Sequence, residues 1–218
     1  MKLGIVFLLS KASLGRDYSR LFEETISNHA RKGGKLLGID FLNITVHLNK
    51  DRVIPETGEV GFAMGDDWIH ITVDPTRRRK ELGQIITTII PSTIYHEMSH
   101  IARNKYVGRH KTLLDAVVFE GVANTFAEEQ WPMFAPPWTQ YSEQEMIPFL
   151  KILKKQGQSE NYSHDEWFFG RGKKPRWIGY KLGSYIIRSA KERNEGLTAL
   201  KVAKVDTKEI ATLSKLDL

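Results

Sequence analysis

Short runs rich in β-branched and aromatic residues are confined to the first third of this chain, and nearly everything after Thr76 carries helical spacing. FLNITVHLN (41 to 49), EVGFAMG (59 to 65) and DWIHITVDP (67 to 75) are separated by Pro, Gly and Asp, the pattern of a small sheet with hairpin connections. Before them, DYSRLFEETISNHARKG predicts an amphipathic helix stopped at Gly33 and Gly34. Beyond Thr76 the breaks fall at Pro91, near Gly108, at the prolines of WPMFAPPW and in GRGKKPR. Strands first and helices after imply an α+β fold, a small N-terminal antiparallel or mixed sheet packed on a mainly helical bundle. No repeat or low-complexity linker divides the 218 residues, so one domain is expected, with a strand-rich part over 1–75 and a helical part over 76–218.

The apolar run from Leu3 to Leu9 follows one lysine and mimics a signal peptide. It sits at the lower limit for such a segment and is followed by a poor cleavage site, so it reads as a buried first strand. No apolar run is long enough to cross a bilayer, and a cytoplasmic protein is the expectation. The net charge of +6 permits an acidic partner without requiring one. RRRK (77 to 80) and RGKKPR (171 to 176) lack interleaved aromatics or any nucleic-acid-binding signature, and they read as a solvated helix start and a charged loop. With no cysteine, a metal must sit on histidine, carboxylate or carbonyl ligands.

One stretch, IPSTIYHEMSHIARNKY (90 to 106), supplies such ligands. Residues four apart on a helix lie on one face with Cβ atoms about 5–6 Å apart, so His96 and His100 can address a single ion. Glu97 projects about 100° round the helix, beside the ion rather than onto it. That is the arrangement of H-E-x-x-H, two neutral imidazoles for zinc and a carboxylate that takes a proton from an activated water. Pro91 suits the first turn of this helix or a kink entering it. His29, His47, His70 and His110 have no partner spacing and read as structural or surface residues.

A catalytic zinc ordinarily takes a third protein ligand and keeps one position open. The metzincin continuation would need a glycine and a histidine where this chain has Arg103 and Tyr106, and is excluded. Asp115 could serve as an aspartate ligand, but Thr112-Leu-Leu-Asp115 fits a capping box, which leaves Asp115 as a helix cap. On the helix KTLLDAVVFEGVANTFAEE (111 to 129), Glu120 lies among Val117, Val118, Phe119 and Val122. A lone carboxylate there is costly to bury unless a cation meets it. Gly121 beside it would let this helix pack closely on the histidine helix.

His96-Glu97-x-x-His100 followed twenty positions later by Glu120 resembles the thermolysin-like zinc peptidases, the gluzincins. Where those enzymes carry an aspartate that orients a zinc histidine, this chain has Asn124, which can accept the same hydrogen bond without the charge. TIYHEMSHIAR, TLLDAVVFEGVANTFAEE and PRWIGYKLGSYII together resemble the YjaZ-like family of predicted zinc-dependent proteases over roughly residues 60 to 195. The resemblance implies a gluzincin-type fold and a peptidase. It also puts a tyrosine, Tyr180, in the GYKLG segment, the first choice for a donor to the developing oxyanion, with His164 and Arg171 behind it.

The expectation is therefore one zinc per chain on His96, His100 and Glu120, with Glu97 as general base acting on a peptide or protein substrate. Neither sequence-specific nucleic-acid binding nor a membrane is expected. The alternative from another class is a zinc-binding regulatory or interaction module whose peptidase site is vestigial. In zinc peptidases a substrate commonly adds as a strand to a sheet edge. WIHITVDP, the last strand before the histidine helix, is the candidate, with an interior strand equally compatible.

Overall fold

The computed structural model describes residues 4–9 and 15–218, with side chains from residue 16 onward. Four strands, β1 (Gly4–Leu9), β2 (Phe41–Leu48), β3 (Glu59–Ala63) and β4 (Trp68–Val73), form one sheet in the order β1-β2-β4-β3. The expected α+β class is what the structure shows, a small mixed sheet followed by helices. The described chain divides into two compact units, Met1–Ala102 with Gln130–Phe134, and Arg103–Glu129 with Ala135–Leu218.

In the first unit β1 pairs parallel with β2 across α1 (Gly15–Leu37), and β2 pairs parallel with β4. Only β3 and β4 form a hairpin. Alternation along β2 and β4 sends Leu42, Ile44, Val46, Ile69, Ile71 and Val73 into the core, while Asn43, Thr45, His70 and Trp68 remain partly or largely exposed. The expected strand over Leu3 to Leu9 is present as β1, but its side chains lie outside the described residues.

Two local readings of this unit change. Helix α1 does not stop at Gly33 and Gly34 but continues to Leu37. A Cβ at Gly33 would come within 2.8 Å of Met98 Sδ, so this glycine is a point of close helix contact rather than a stop. Nor does Pro91 break the chain's helical path. α2 (Arg79–Gln84) runs through a π-helical turn (Ile85–Ile89) into α3 (Ile90–Tyr106), and Pro91 occupies the first turn of α3. The wider turn precedes the residue that cannot donate a backbone hydrogen bond.

The strand proposed as an edge is also reassigned. β4 lies between β2 and β3, and β3 is the edge. Because Met64 N–H donates to Trp68 O at 2.7 Å and main-chain groups alternate along a strand, those of Gly61 and Ala63 point away from β4. Val60, Phe62 and Met64 alternate in EVGFAMG, a pattern that marks a strand without saying whether it lies at an edge.

The second unit takes in the last turn of α3 and is otherwise helical among the described residues. α4 (Leu113–Gln130), α5 (Glu143–Gln156), α6 (His164–Phe168), α7 (Ile178–Arg193), α8 (Ala199–Val202) and α9 (Thr207–Ser214) share a core of Leu114, Val117, Val118, Val122, Trp167, Phe168, Leu182 and Ile186. α4 and α7 cross where two glycines meet. A Cβ at Gly121 would fall 2.2 Å from the Gly183 backbone, and one at Gly183 would fall 2.1 Å from Val117 O. The close partner of Gly121 is thus α7, not the histidine helix, because the complementary glycine of GYKLG is there. Arg188 fastens the same crossing through two bonds to Glu128, at 2.7 and 2.9 Å.

The cap reading of Asp115 agrees with its geometry. Its Oδ2 accepts from Thr112 N at 3.1 Å, and Thr112 Oγ1 accepts from Asp115 N at 3.2 Å. The basic segments are engaged locally. Arg77 pairs with Asp74 at 3.1 Å and donates to Pro55 O, Arg171 pairs with Asp165, and Lys174 pairs with Glu166 at 3.1 Å. No helix among the described residues is long and apolar enough to cross a membrane.

Candidate metal centre

Helix α3 is held by Ile90, Ile94, Tyr95, Met98, Ile101 and Ala102, all buried. This packing fixes the rotation of the helix and thereby the direction of the residues between them. His96 and His100 emerge together, with ring centroids 4.6 Å apart, planes at 89° and Nε2 atoms 3.0 Å apart. Two imidazole nitrogens on one tetrahedral zinc at 2.0–2.1 Å stand about 3.3 Å apart, so the pair is within a few tenths of an ångström of a chelating geometry. His100 is buried and His96 partly exposed.

Glu120 on α4 completes a group. One ligand atom from each of His96, His100 and Glu120 can be chosen so that all lie within 4.8 Å of one another, a group able to hold a metal ion. Two imidazoles and a carboxylate are a donor set that suits zinc. Glu120 is partly exposed rather than fully buried as its apolar neighbours suggested. The side chains flanking it in sequence, Phe119 and Val122, are buried.

Glu97 belongs to a different set of contacts. Its side chain is buried, and its Oε2 accepts the Ala63 N–H at 2.7 Å. The edge strand thus holds this carboxylate through one of its outward-pointing amides. Gly61 makes the approach possible, since a Cβ there would come 2.3 Å from Thr93 Cγ2 and 3.1 Å from Glu97 Cγ. β3 lies against the face of α3 that carries Thr93 and Glu97.

The same strand brings in a residue that the sequence reading missed. Glu59, the first residue of β3, is 2% exposed, and Thr93 Oγ1 donates to its Oε2 at 3.1 Å. Burial pushes its carboxyl up to about 7, Thr93 opposes that, and the Glu97 charge adds to it while His96 pulls the other way. The signal was present as a glutamate two and four residues before Gly61 and Ala63 on one strand face. Small residues at such positions mark the approach of another element, and a carboxyl on that face is covered by it.

A linkage effect follows. The Glu59 carboxyl titrates near its ordinary 4.5 when unfolded and near about 7 when folded. The folded chain holds the proton more tightly, so the stabilisation is complete below 4.5 and is lost as pH rises towards 7. The loss is at most roughly 3 kcal/mol. Urea unfolding of the metal-free protein should show stability falling across that window, and Glu59→Gln should flatten the fall.

Asn124 is buried on α4, and its amide nitrogen donates to Ser184 Oγ at 3.0 Å and to Tyr180 O at 3.5 Å. Its carbonyl oxygen is buried with no hydrogen-bond partner among the described residues. Tyr180 is partly buried on α7, its ring set among Phe168, Trp177 and Trp138 at centroid distances of 5.3, 5.6 and 6.4 Å. His164 stacks on Phe168 at 4.4 Å, and Arg171 is occupied by Asp165. His29 Nδ1 lies 3.1 Å from the Tyr95 hydroxyl, and His70 Nδ1 lies 2.8 Å from Thr45 Oγ1.

No curated protein and no solved structure matches the chain. A family model described as "Predicted Zn-dependent protease (DUF2268)" matches residues 22–212, a span that contains every strand and helix from β2 to α8. A match of that extent, over a chain whose own histidine pair and glutamate form a group able to hold a metal, identifies it as a member of this family of predicted zinc-dependent proteases.

Proposed function

We propose that the protein is a zinc peptidase of the gluzincin type, with one zinc held by His96, His100 and Glu120. The observation that carries this reading is the juxtaposition on α3 of two imidazole nitrogens 3.0 Å apart and a carboxylate fastened to the edge strand. When bound, zinc would acidify a water and polarise a peptide carbonyl. The chain's own residues supply the rest.

Glu97 would take a proton from the attacking water at one carboxylate oxygen while the other stays on Ala63 N–H; as the water oxygen adds to the carbonyl carbon and the C–N bond breaks, it would deliver that proton to the departing amine. β3 offers the outward N–H and C=O of Gly61 and the outward C=O of Ala63 to an extended peptide, which would bind as an added strand whatever its sequence. Tyr180 is the proposed oxyanion donor; its place among Phe168, Trp177 and Trp138 would fix the ring and leave only the hydroxyl to adjust. The buried carbonyl oxygen of Asn124 is the acceptor proposed for the ring N–H of a zinc-bound histidine. A cytoplasmic location is proposed with it.

Purified protein should contain about one zinc per chain. It should hydrolyse members of a mixed peptide library, lose that activity to a chelator and regain it with added zinc. Zinc at this stoichiometry without hydrolysis of any peptide would favour a zinc-stabilised binding module instead.

A further inference from the structure

Three alternate residues of the edge strand, Glu59, Gly61 and Ala63, meet two residues one turn apart on α3, Thr93 and Glu97. Glu59 accepts from the Thr93 hydroxyl at 3.1 Å, Gly61 lies against both side chains, and Ala63 N–H donates to Glu97 at 2.7 Å. The first and last of these contacts are hydrogen bonds, and the middle one requires the absence of a side chain. Together they act as a ruler, because fixing Glu59 on Thr93 fixes the strand register and so the height at which Ala63 N–H meets Glu97.

A carboxyl is an unusual choice for the far end of such a ruler. Thr57 Oγ1 donates to Glu59 O and its side chain also hydrogen-bonds the carboxyl, while the charged or titratable groups that act on that carboxyl are Glu97 and His96, both from α3. No lysine or arginine pairs with it among the described residues. Burying a carboxyl without a cation costs more than burying an alkyl group of similar size, so packing alone does not account for it. Hydrogen bonding to Thr93 gives direction, which an apolar side chain cannot.

We infer that Glu59 is a positioning residue for Glu97: bonded to Thr93, it seats the edge strand so that Ala63 N–H holds the Glu97 carboxylate in its working orientation. This rests on the peptidase reading only for its kinetic consequence. The positional part concerns the Ala63–Glu97 bond and holds whatever the protein acts on. Glu59 itself touches no reacting atom.

The test compares Glu59→Gln, Glu59→Val and Thr93→Val in the full zinc-loaded chain. Glu59→Gln keeps an acceptor for Thr93 and should retain kcat within about threefold. Glu59→Val and Thr93→Val should lower kcat by about tenfold or more, with KM changed less than threefold and zinc content unchanged. In parallel, the Ala63 amide proton is followed by NMR in each variant, with Glu97→Gln as the reference for a lost charged acceptor. The parent and Glu59→Gln should show it downfield, and the two valine variants should move it towards the Glu97→Gln position. Thr93→Val leaves Glu59 in place, so it remains informative if Glu59→Val does not fold.

An Ala63 resonance and kcat that ignore Thr93→Val and Glu59→Val overturn the inference even if hydrolysis depends on Glu97. The same outcome follows if Glu59→Gln is as impaired as Glu59→Val. If the parent hydrolyses nothing yet the Ala63 amide responds as described, the peptidase reading fails and the positioning role stands.

Discussion

Glu97→Gln should leave about one zinc per chain bound and reduce peptide hydrolysis by roughly 10²–10⁴-fold, the range expected when a general base is removed. Glutamine preserves the shape of the side chain, and its amide oxygen can still accept the Ala63 N–H that the carboxylate accepts at 2.7 Å. What it cannot do is take a proton. The histidines are untouched, so metal retention and lost turnover are expected together, and they separate base chemistry from metal binding. The loss corresponds to roughly 3–5 kcal/mol of transition-state stabilisation. Parent-like cleavage by this variant would remove Glu97 from the mechanism.

Glu120→Gln should have the opposite signature. It replaces a proposed anionic ligand with a neutral one, and loss of a direct ligand should weaken zinc binding by more than the roughly 10–100-fold seen when an outer hydrogen-bond partner is removed. Activity should fall with zinc occupancy and recover in part at high zinc, which Glu97→Gln should not do. Titration with a competing chelator measures the difference. Asp115→Asn is the control: Asp115 is committed to the amides of Lys111 and Thr112, and its replacement should leave zinc affinity unchanged.

Much of this was legible in the sequence because it rests on local geometry. Two histidines four apart are brought to one point by any α-helix, and the Thr112–Asp115 box is likewise a matter of four consecutive residues. The strands β2, β3 and β4 were visible as β-branched or aromatic runs. What was not legible depends on which elements become neighbours. The strand–helix–strand order of β1, α1 and β2 signals a parallel crossover, but nothing local says that β2 then pairs with β4 rather than β3, so the interior place of β4 and the open edge of β3 emerged only from the pairing. Gly33 has the composition of a helix stop, yet it sits inside α1 because α3 packs there. Gly121 was recognised as a close-packing residue but matched to the wrong helix, since its complement is Gly183. Glu59 escaped for the same reason. Its carboxyl is met by Thr93 on α3, thirty-four residues away.

The central claim is that His96, His100 and Glu120 hold zinc beside Glu97. X-ray absorption at the zinc edge of the metal-loaded protein tests it most directly. The account predicts two imidazole nitrogens at about 2.0–2.1 Å with the remaining ligands oxygen, and a spectrum that changes in His100→Ala and in Glu120→Gln but not in Glu97→Gln. A shell of oxygen ligands alone, or a spectrum unaltered by His100→Ala, would contradict it.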